Sequence, residues 1–277
     1  MPSPVLNERT LEKAPATWAP PDPNSAYHAP IDDGPISTWR PAMMTVNGTI
    51  GKTAILFTLL LISAAAGWMN TDSPEIVERN GQLVYNYAIP ALAWVGAIVG
   101  IGLVFLLMFK PHLAKFIAPA YALAQGFFVG SLSKMYETFF NGIVVQAAGA
   151  TIAVFGVMLF LYRARIIKVT ERFRTIVVSA TIGIMVFYGV CFLIQLFAGS
   201  DSVSFLASPS LLGIAFSVFV AGIAAMNLAL DFDFIERGSK MGLDKGFEWY
   251  GAFGLLVTIV WLYLEMLRLL GKVNSRG

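Results

Sequence analysis

The sequence predicts an all-α integral membrane protein: a bundle of seven transmembrane helices with the last helix at its centre, preceded by a disordered N-terminal tail. Three observations carry that expectation. The first is composition. Of 277 residues, 57% are hydrophobic and only 13% are charged, whereas a soluble domain is about 45–50% apolar and about 25% charged. The second is a series of seven apolar runs, each near the ~20 residues that a helix needs to cross about 30 Å of hydrocarbon. Strands of a membrane barrel would be shorter and would alternate. The third is the last run, Trp249–Leu270 (WYGAFGLLVTIVWLYLEMLRLL), which carries an acid, Glu265, within its apolar length. A carboxylate in lipid costs about 2.5–3.5 kcal/mol on insertion scales, so a helix bearing one turns it toward other helices or a watery cavity. That places the last helix inside the bundle and makes Glu265 a functional candidate. A plainer account stands beside it: Arg268, three residues on and on the same face, neutralises Glu265 near a membrane interface.

Taken in order, residues 1–47 are rich in Pro, Ala, Asp and Ser (APATWAPPDPNSAYHAPIDDGPISTWRP) and have no hydrophobic period. They read as a disordered tail, either simply solvated or partner-binding. No apolar core follows a basic start, so the tail does not read as a signal peptide. Residues 48–271 form the transmembrane domain. Its runs are 53–68, 88–109, 116–133, 143–162, 176–197, 211–230 and 249–270. Pro90 falls in the first turn of the second, where proline is tolerated, and Pro119 near the start of the third. Residues 272–277 read as a short C-terminal tail.

Loop charges orient the spans. Lys110 and Lys115 lie between runs two and three. Arg163, Arg165, Lys168, Arg172 and Arg174 lie between four and five, and Arg237, Lys240 and Lys245 between six and seven. The loop between five and six has no Lys or Arg, and the loop after run one holds Asp72, Glu75 and Glu78 against Arg79. The positive-inside rule then puts the N-terminus in the cytoplasm. Seven spans put the C-terminus outside. Lys272 and Arg276 count against that, which leaves a re-entrant or shifted last helix open.

Several function classes lose support. There is no GxxxxGK[ST], HExxH or GxSxG pattern, so neither a transport ATPase nor a metalloprotease is expected. His28 and His112 both fall outside the spans, which argues against an intramembrane serine protease. The lone Cys191 offers no disulfide or Cys-based metal site within one chain. No nucleophile–base pair is visible, and no enzyme, cofactor or nucleic-acid partner is expected. The lipid bilayer is the expected partner. His28 and His112 are widely separated and do not suggest a metal site.

The remaining polar residues are few. Asp231 and Asp233 end run six. Two residues apart on a helix, they point roughly 200° away from each other, so one can face the bundle while the other faces water. Both could equally just terminate the span. Asn227 lies one turn before Asp231 and shares its face. Gln125, Gln146, Thr151 and Gln195 complete the set. They suit either interhelical hydrogen bonds of about 0.6 kcal/mol each or a polar path through the bundle. Trp68, Trp249 and Tyr250 read as interface anchors. Gly96 and Gly100, and Gly126 and Gly130, stand at the small-xxx-small spacing that lets helices approach in lipid, although 25 glycines make such pairs common.

Three stretches, WYGAFGLLVTIVWLYLEMLRLL, AAMNLALDFDFIERG and AYALAQGFFVGSLSKMYE, together resemble the Bax inhibitor-1 family (also called the YccA or TMBIM family), in an actinobacterial form. The resemblance covers about residues 42–271. It implies a seven-helix bundle with the last helix central, and a pH-sensitive calcium leak channel, here of a bacterial plasma membrane, with calcium as the permeant ion. It further implies a proton-sharing pair of acids on helices six and seven, tied to a basic residue near the end of helix two. Asp231 matches the helix-six acid, with Asp233 the second choice. Glu265, in Leu262-Tyr263-Leu264-Glu265, matches the helix-seven acid, and Lys110 the basic partner. Two carboxylates sharing a proton would hold the bundle closed, and its loss would make them repel. Oxygen ligands suit calcium.

Three departures stand out. Glu265 replaces the usual Asp, Gln125-Gly126 replaces a Glu-Gly pair, and the stretch from Asp231 to Glu265 is longer than in the family. A simple hairpin turning near Met241 would set Asp231 level with Gly251, leaving Glu248 as the better-matched neighbour. The alternative function is a regulatory membrane protein that modulates a membrane protease or a stress response through a membrane-protein partner.

Overall fold

A computed structural model describes residues 43–72, 75–79, 82–86, 89–198 and 208–276. The Pro-rich segment 1–42, for which disorder was expected, lies outside the described residues. Among the described residues, seven helices are long and apolar enough to cross a membrane. They are α1 (Val46–Met69), α2 (Ala91–Phe109), α3 (Ala114–Phe139), α4 (Ile143–Arg163), α5 (Glu171–Ala198), α6 (Leu211–Lys240) and α7 (Phe247–Asn274). A 3-10 turn, Pro111–Leu113, leads into α3. The all-α membrane bundle expected from composition is therefore what forms.

Side-chain caps start α1 and α6. Thr45 Oγ1 accepts from the Gly48 amide at 2.9 Å ahead of α1, and Ser210 Oγ accepts from the Gly213 amide at 3.1 Å ahead of α6. Each satisfies a donor that the first helical turn leaves without a partner.

Between α1 and α2 the chain forms a hairpin, which the charge-based reading of that loop did not anticipate. Its strands are β1 (Glu75–Arg79) and β2 (Gln82–Asn86), antiparallel, with Glu75 opposite Asn86 and Arg79 opposite Gln82. Ile76, Val77, Val84 and Tyr85 are strand-favouring residues.

The centre of the bundle is shared. α7 packs against α1, α3, α4 and α6, while α3 packs against α1, α2, α4 and α7. Half of the apolar window of α7 is buried and 56% of that of α3, against 17% for α1. The last helix is central, as its acid requires, and α3 stands beside it. The close approach of α1 and α3 rests on glycine. A Cβ on Gly126 would lie 2.4 Å from the Leu60 carbonyl oxygen, and one on Gly130 would lie 1.9 Å from that of Ala64. Gly96 meets the Ala124 carbonyl oxygen in the same way, at 2.5 Å. In lipid, where burying apolar surface gains nothing, such contact is what holds helices together.

Three boundaries differ from expectation. Residues 43–47 belong to the bundle rather than to the tail: Met44 is buried, its amide donates to the Leu243 carbonyl at 2.6 Å, and Met43 bridges Asp244. At the other end α7 runs to Asn274 and buries Lys272, so residues 272–274 are not a tail. Finally, α6 continues to Lys240, beyond its apolar run, because the charged turns after Leu230 find partners on α4 and α5.

Candidate functional site: buried carboxylates between helices five, six and seven

Two buried acids lie well inside the helices, away from their ends. Asp231 on α6 is 0% exposed and Glu265 on α7 is 1% exposed. The α6–α7 hairpin sets their relation. Its link, residues 241–246, is pinned by Gly242 at φ +68° and by the Met44–Leu243 hydrogen bond. It brings Asp231 level with Thr258, further along α7 than the Gly251 expected from a turn at Met241. Thr258 Oγ1 donates to Asp231 Oδ2 at 2.6 Å. Gly251 packs instead against Ile235.

Glu265 stands seven residues beyond Thr258, about 10.5 Å further along the helix axis. It has partners of its own. Its Oε1 accepts from Tyr188 Oη of α5 at 3.0 Å and from Arg268 Nη1 at 2.8 Å. Arg268 Nη1 also donates to Tyr188 Oη at 2.6 Å, closing a triangle across α5 and α7. Glu265 Oε2 is buried with no hydrogen-bond partner. The two acids therefore occupy two layers about two turns apart, each held by different groups. Glu248 is not the neighbour of Asp231 either. It sits at the start of α7, 1% exposed, where it accepts from the Thr45 amide and hydroxyl, both at 2.9 Å, and pairs with Lys52.

Asp233 behaves as its spacing from Asp231 requires. It points away, toward Arg174 Nη2 of α5 at 3.1 Å and Arg237 Nε at 2.9 Å. The basic residue that reaches this acidic end of α6 is thus Arg174, itself 2% exposed, and not Lys110. Lys110 caps the end of α2 and is exposed, because α2 packs on α3 and is displaced from α6. Asn227 is buried on the Asp231 face, and its Nδ2 donates to Thr181 Oγ1 of α5 at 2.8 Å and to the Ile223 carbonyl at 2.9 Å. Gln125 is buried elsewhere. It lies over Gly100 of α2, whose missing side chain makes room for it.

Reading residues one at a time missed Thr258 and Tyr188, the hydroxyls that meet the two acids, and assigned Arg174 to a loop. Thr258 was legible in principle, lying seven residues from Glu265 and so close to the same face. Tyr188 was not, because only tertiary packing brings α5 to α7. Tyr250 is also not an interface anchor. It is fully buried between the Phe234 and Phe247 rings, with centroids at 5.8 and 6.0 Å. No group of three His, Cys, Asp or Glu side chains that could hold a metal ion occurs among the described residues.

These features define a polytopic helical membrane protein whose polar interior lies where α5, α6 and α7 meet. A family model described as Bax inhibitor 1 like matches residues 3–275, and the chain belongs to that family. A comparison with curated proteins finds no match.

Proposed function

We propose that the protein is a proton-sensitive cation leak channel, with calcium as the permeant ion and Asp231 as the group whose proton sets the state of the bundle. One observation carries the reading. Thr258 Oγ1 stands 2.6 Å from Asp231 Oδ2 and 3.1 Å from the Gly254 carbonyl oxygen. A threonine hydroxyl has a single proton to donate. When Asp231 is ionised, the hydroxyl must donate to it. When Asp231 carries a proton, Asp231 donates to Thr258, and Thr258 turns its own proton to Gly254. The hydroxyl on the central helix thus takes the orientation that the charge of a buried acid on α6 dictates. This replaces a shared proton between Asp231 and Glu265, which two helical turns separate. Glu265 serves as a second, fixed layer, its charge matched by Arg268.

In this reading the basic ends of the helices face the cytoplasm, as does the N-terminus, and Glu265 lies toward the outer side. Loss of the Asp231 proton leaves a charge in an apolar bundle, which favours a wetter and more open arrangement. No bond-making chemistry is involved, and the protein is not an enzyme.

The test is calcium flux into liposomes holding the purified protein, followed from acidic to neutral pH. Wild type should conduct in a pH-dependent way. Asp231→Asn should flatten that dependence, and Thr258→Val should displace its midpoint while flux persists. Unchanged pH profiles in both variants would remove Asp231 from the sensor. No flux at any pH from folded protein would favour the regulatory reading, in which the protein acts through a membrane partner.

A further inference from the structure

A deep cleft opens sideways from the bundle, away from the buried acids. α1 packs on α3 and α7, and α4 packs on α6 and α7. Between α1 and α4 this leaves a cavity of about 870 Å³ floored by α3 and α7. Along α1 its wall runs from Ile50 to Met69, a rise of about 28 Å at 1.5 Å per residue. That is close to the full ~30 Å of a hydrocarbon core.

Nothing in the wall invites water. Apart from hydroxyls the lining side chains are aliphatic or aromatic, and each hydroxyl is already bonded within the protein. Ser133 and Tyr263 pair at 2.6 Å, Thr53 donates to the Thr49 carbonyl at 2.9 Å, and Thr151 to that of Ala147 at 2.7 Å. A water held there would lack the two to four polar partners it needs. One end of the cleft is different. Lys134 follows the lining residue Ser133, and its Nζ lies 5.2 Å from the ring of Trp68, which also lines the cleft. The acid one turn on is turned elsewhere: Glu137 accepts from the Gly142 and Val144 amides at 2.6 and 3.1 Å. None of the ion pairs among the described residues uses Lys134. A half-buried cation beside a tryptophan, at the end of a dry slot of bilayer depth, suits a phospholipid, and the uncompensated positive charge favours a net anionic headgroup.

We propose that this cleft is a lipid site, with an acyl chain lying between α1 and α4 against Tyr263 of α7 and the phosphate on Lys134. It is separate from the acids of the proposed channel and does not depend on that reading. The experiment is native mass spectrometry of the full chain, purified in detergent and loaded with phosphatidylglycerol or phosphatidylcholine. Wild type should hold one phosphatidylglycerol and prefer it to phosphatidylcholine. Ala148→Phe and Ala65→Phe place a ring in the cleft from opposite walls. Both should lose the bound lipid while melting at the wild-type temperature. Lys134→Ala should keep a lipid but bind phosphatidylglycerol about fivefold more weakly, the effect of losing about 1 kcal/mol of attraction per basic residue. Undiminished lipid in both phenylalanine variants, detergent as the sole adduct of the wild type, or an unaltered headgroup preference in Lys134→Ala would each overturn the proposal.

Discussion

Arg268→Met tests how Glu265 is tolerated in the bundle. Glu265 is 1% exposed, and its Oε1 has two donors, Arg268 at 2.8 Å and Tyr188 at 3.0 Å, while Oε2 has none. Removing the guanidinium leaves a buried carboxylate facing one hydroxyl. Breaking a buried ion pair from one side costs about 3–5 kcal/mol. The Arg268 side chain retains 36% exposure, so the pair is only partly enclosed and the expected loss is about 2–3 kcal/mol. The assay is equilibrium unfolding from mild detergent into dodecyl sulfate, run as a double-mutant cycle with Glu265→Gln. In the Glu265→Gln background no charge is stranded, and Arg268→Met should cost only the packing of its stem. A coupling of about 1–2 kcal/mol between the two sites is expected. If Arg268→Met costs the same in both backgrounds, to within about 0.3–0.5 kcal/mol, the pairing does not matter and the reasoning fails.

Two further perturbations probe the frame. Gly130→Ala drives a methyl to within 1.9 Å of the Ala64 backbone oxygen and must push α1 off α3. A loss of about 1–3 kcal/mol is expected, whereas Gly149→Ala, with nothing within 4 Å, should be neutral or slightly stabilising. Equal stability of both variants would show that the α1–α3 contact is not tight. Glu248→Ala removes the acceptor for the Thr45 amide, the Thr45 hydroxyl and Lys52. Hydrogen exchange should then accelerate over residues 43–52 and leave α5 unchanged. No acceleration would mean that the start of α1 is held by the Met44–Leu243 contact instead.

Much of the architecture was legible because a bilayer imposes a simple code. A segment that crosses hydrocarbon must be apolar for about 20 residues and must satisfy its own backbone, so runs of residues translate directly into helices. The same code made Glu265 a candidate for the interior, because a carboxylate in lipid is costly, and the roughly 200° offset between Asp231 and Asp233 let one face the bundle while the other faced water. The code stops at the ends of the apolar runs. It could not extend α6 to Lys240 or bury Lys272, since charged turns persist as helix only where a neighbour supplies counter-groups. The β1–β2 hairpin and the burial of Tyr250 escaped for the same reason: charge and aromaticity were read as signs of an interface, and packing decided otherwise.

The candidate site divides along that line. Residue type and position alone established that the chain lives in a membrane with seven spans, and made Glu265 and one of Asp231 and Asp233 candidates for its interior. Which groups meet those acids was settled by the α6–α7 link and by the docking of α5. The link shifts the register of α6 on α7 so that Asp231 meets Thr258 and not Gly251, and α5 carries Tyr188 to Glu265 and Arg174 to Asp233. These contacts join residues from 27 to 77 positions apart in the chain. A helical period relates residues within one element only, so the partners across elements follow from how the helices pack.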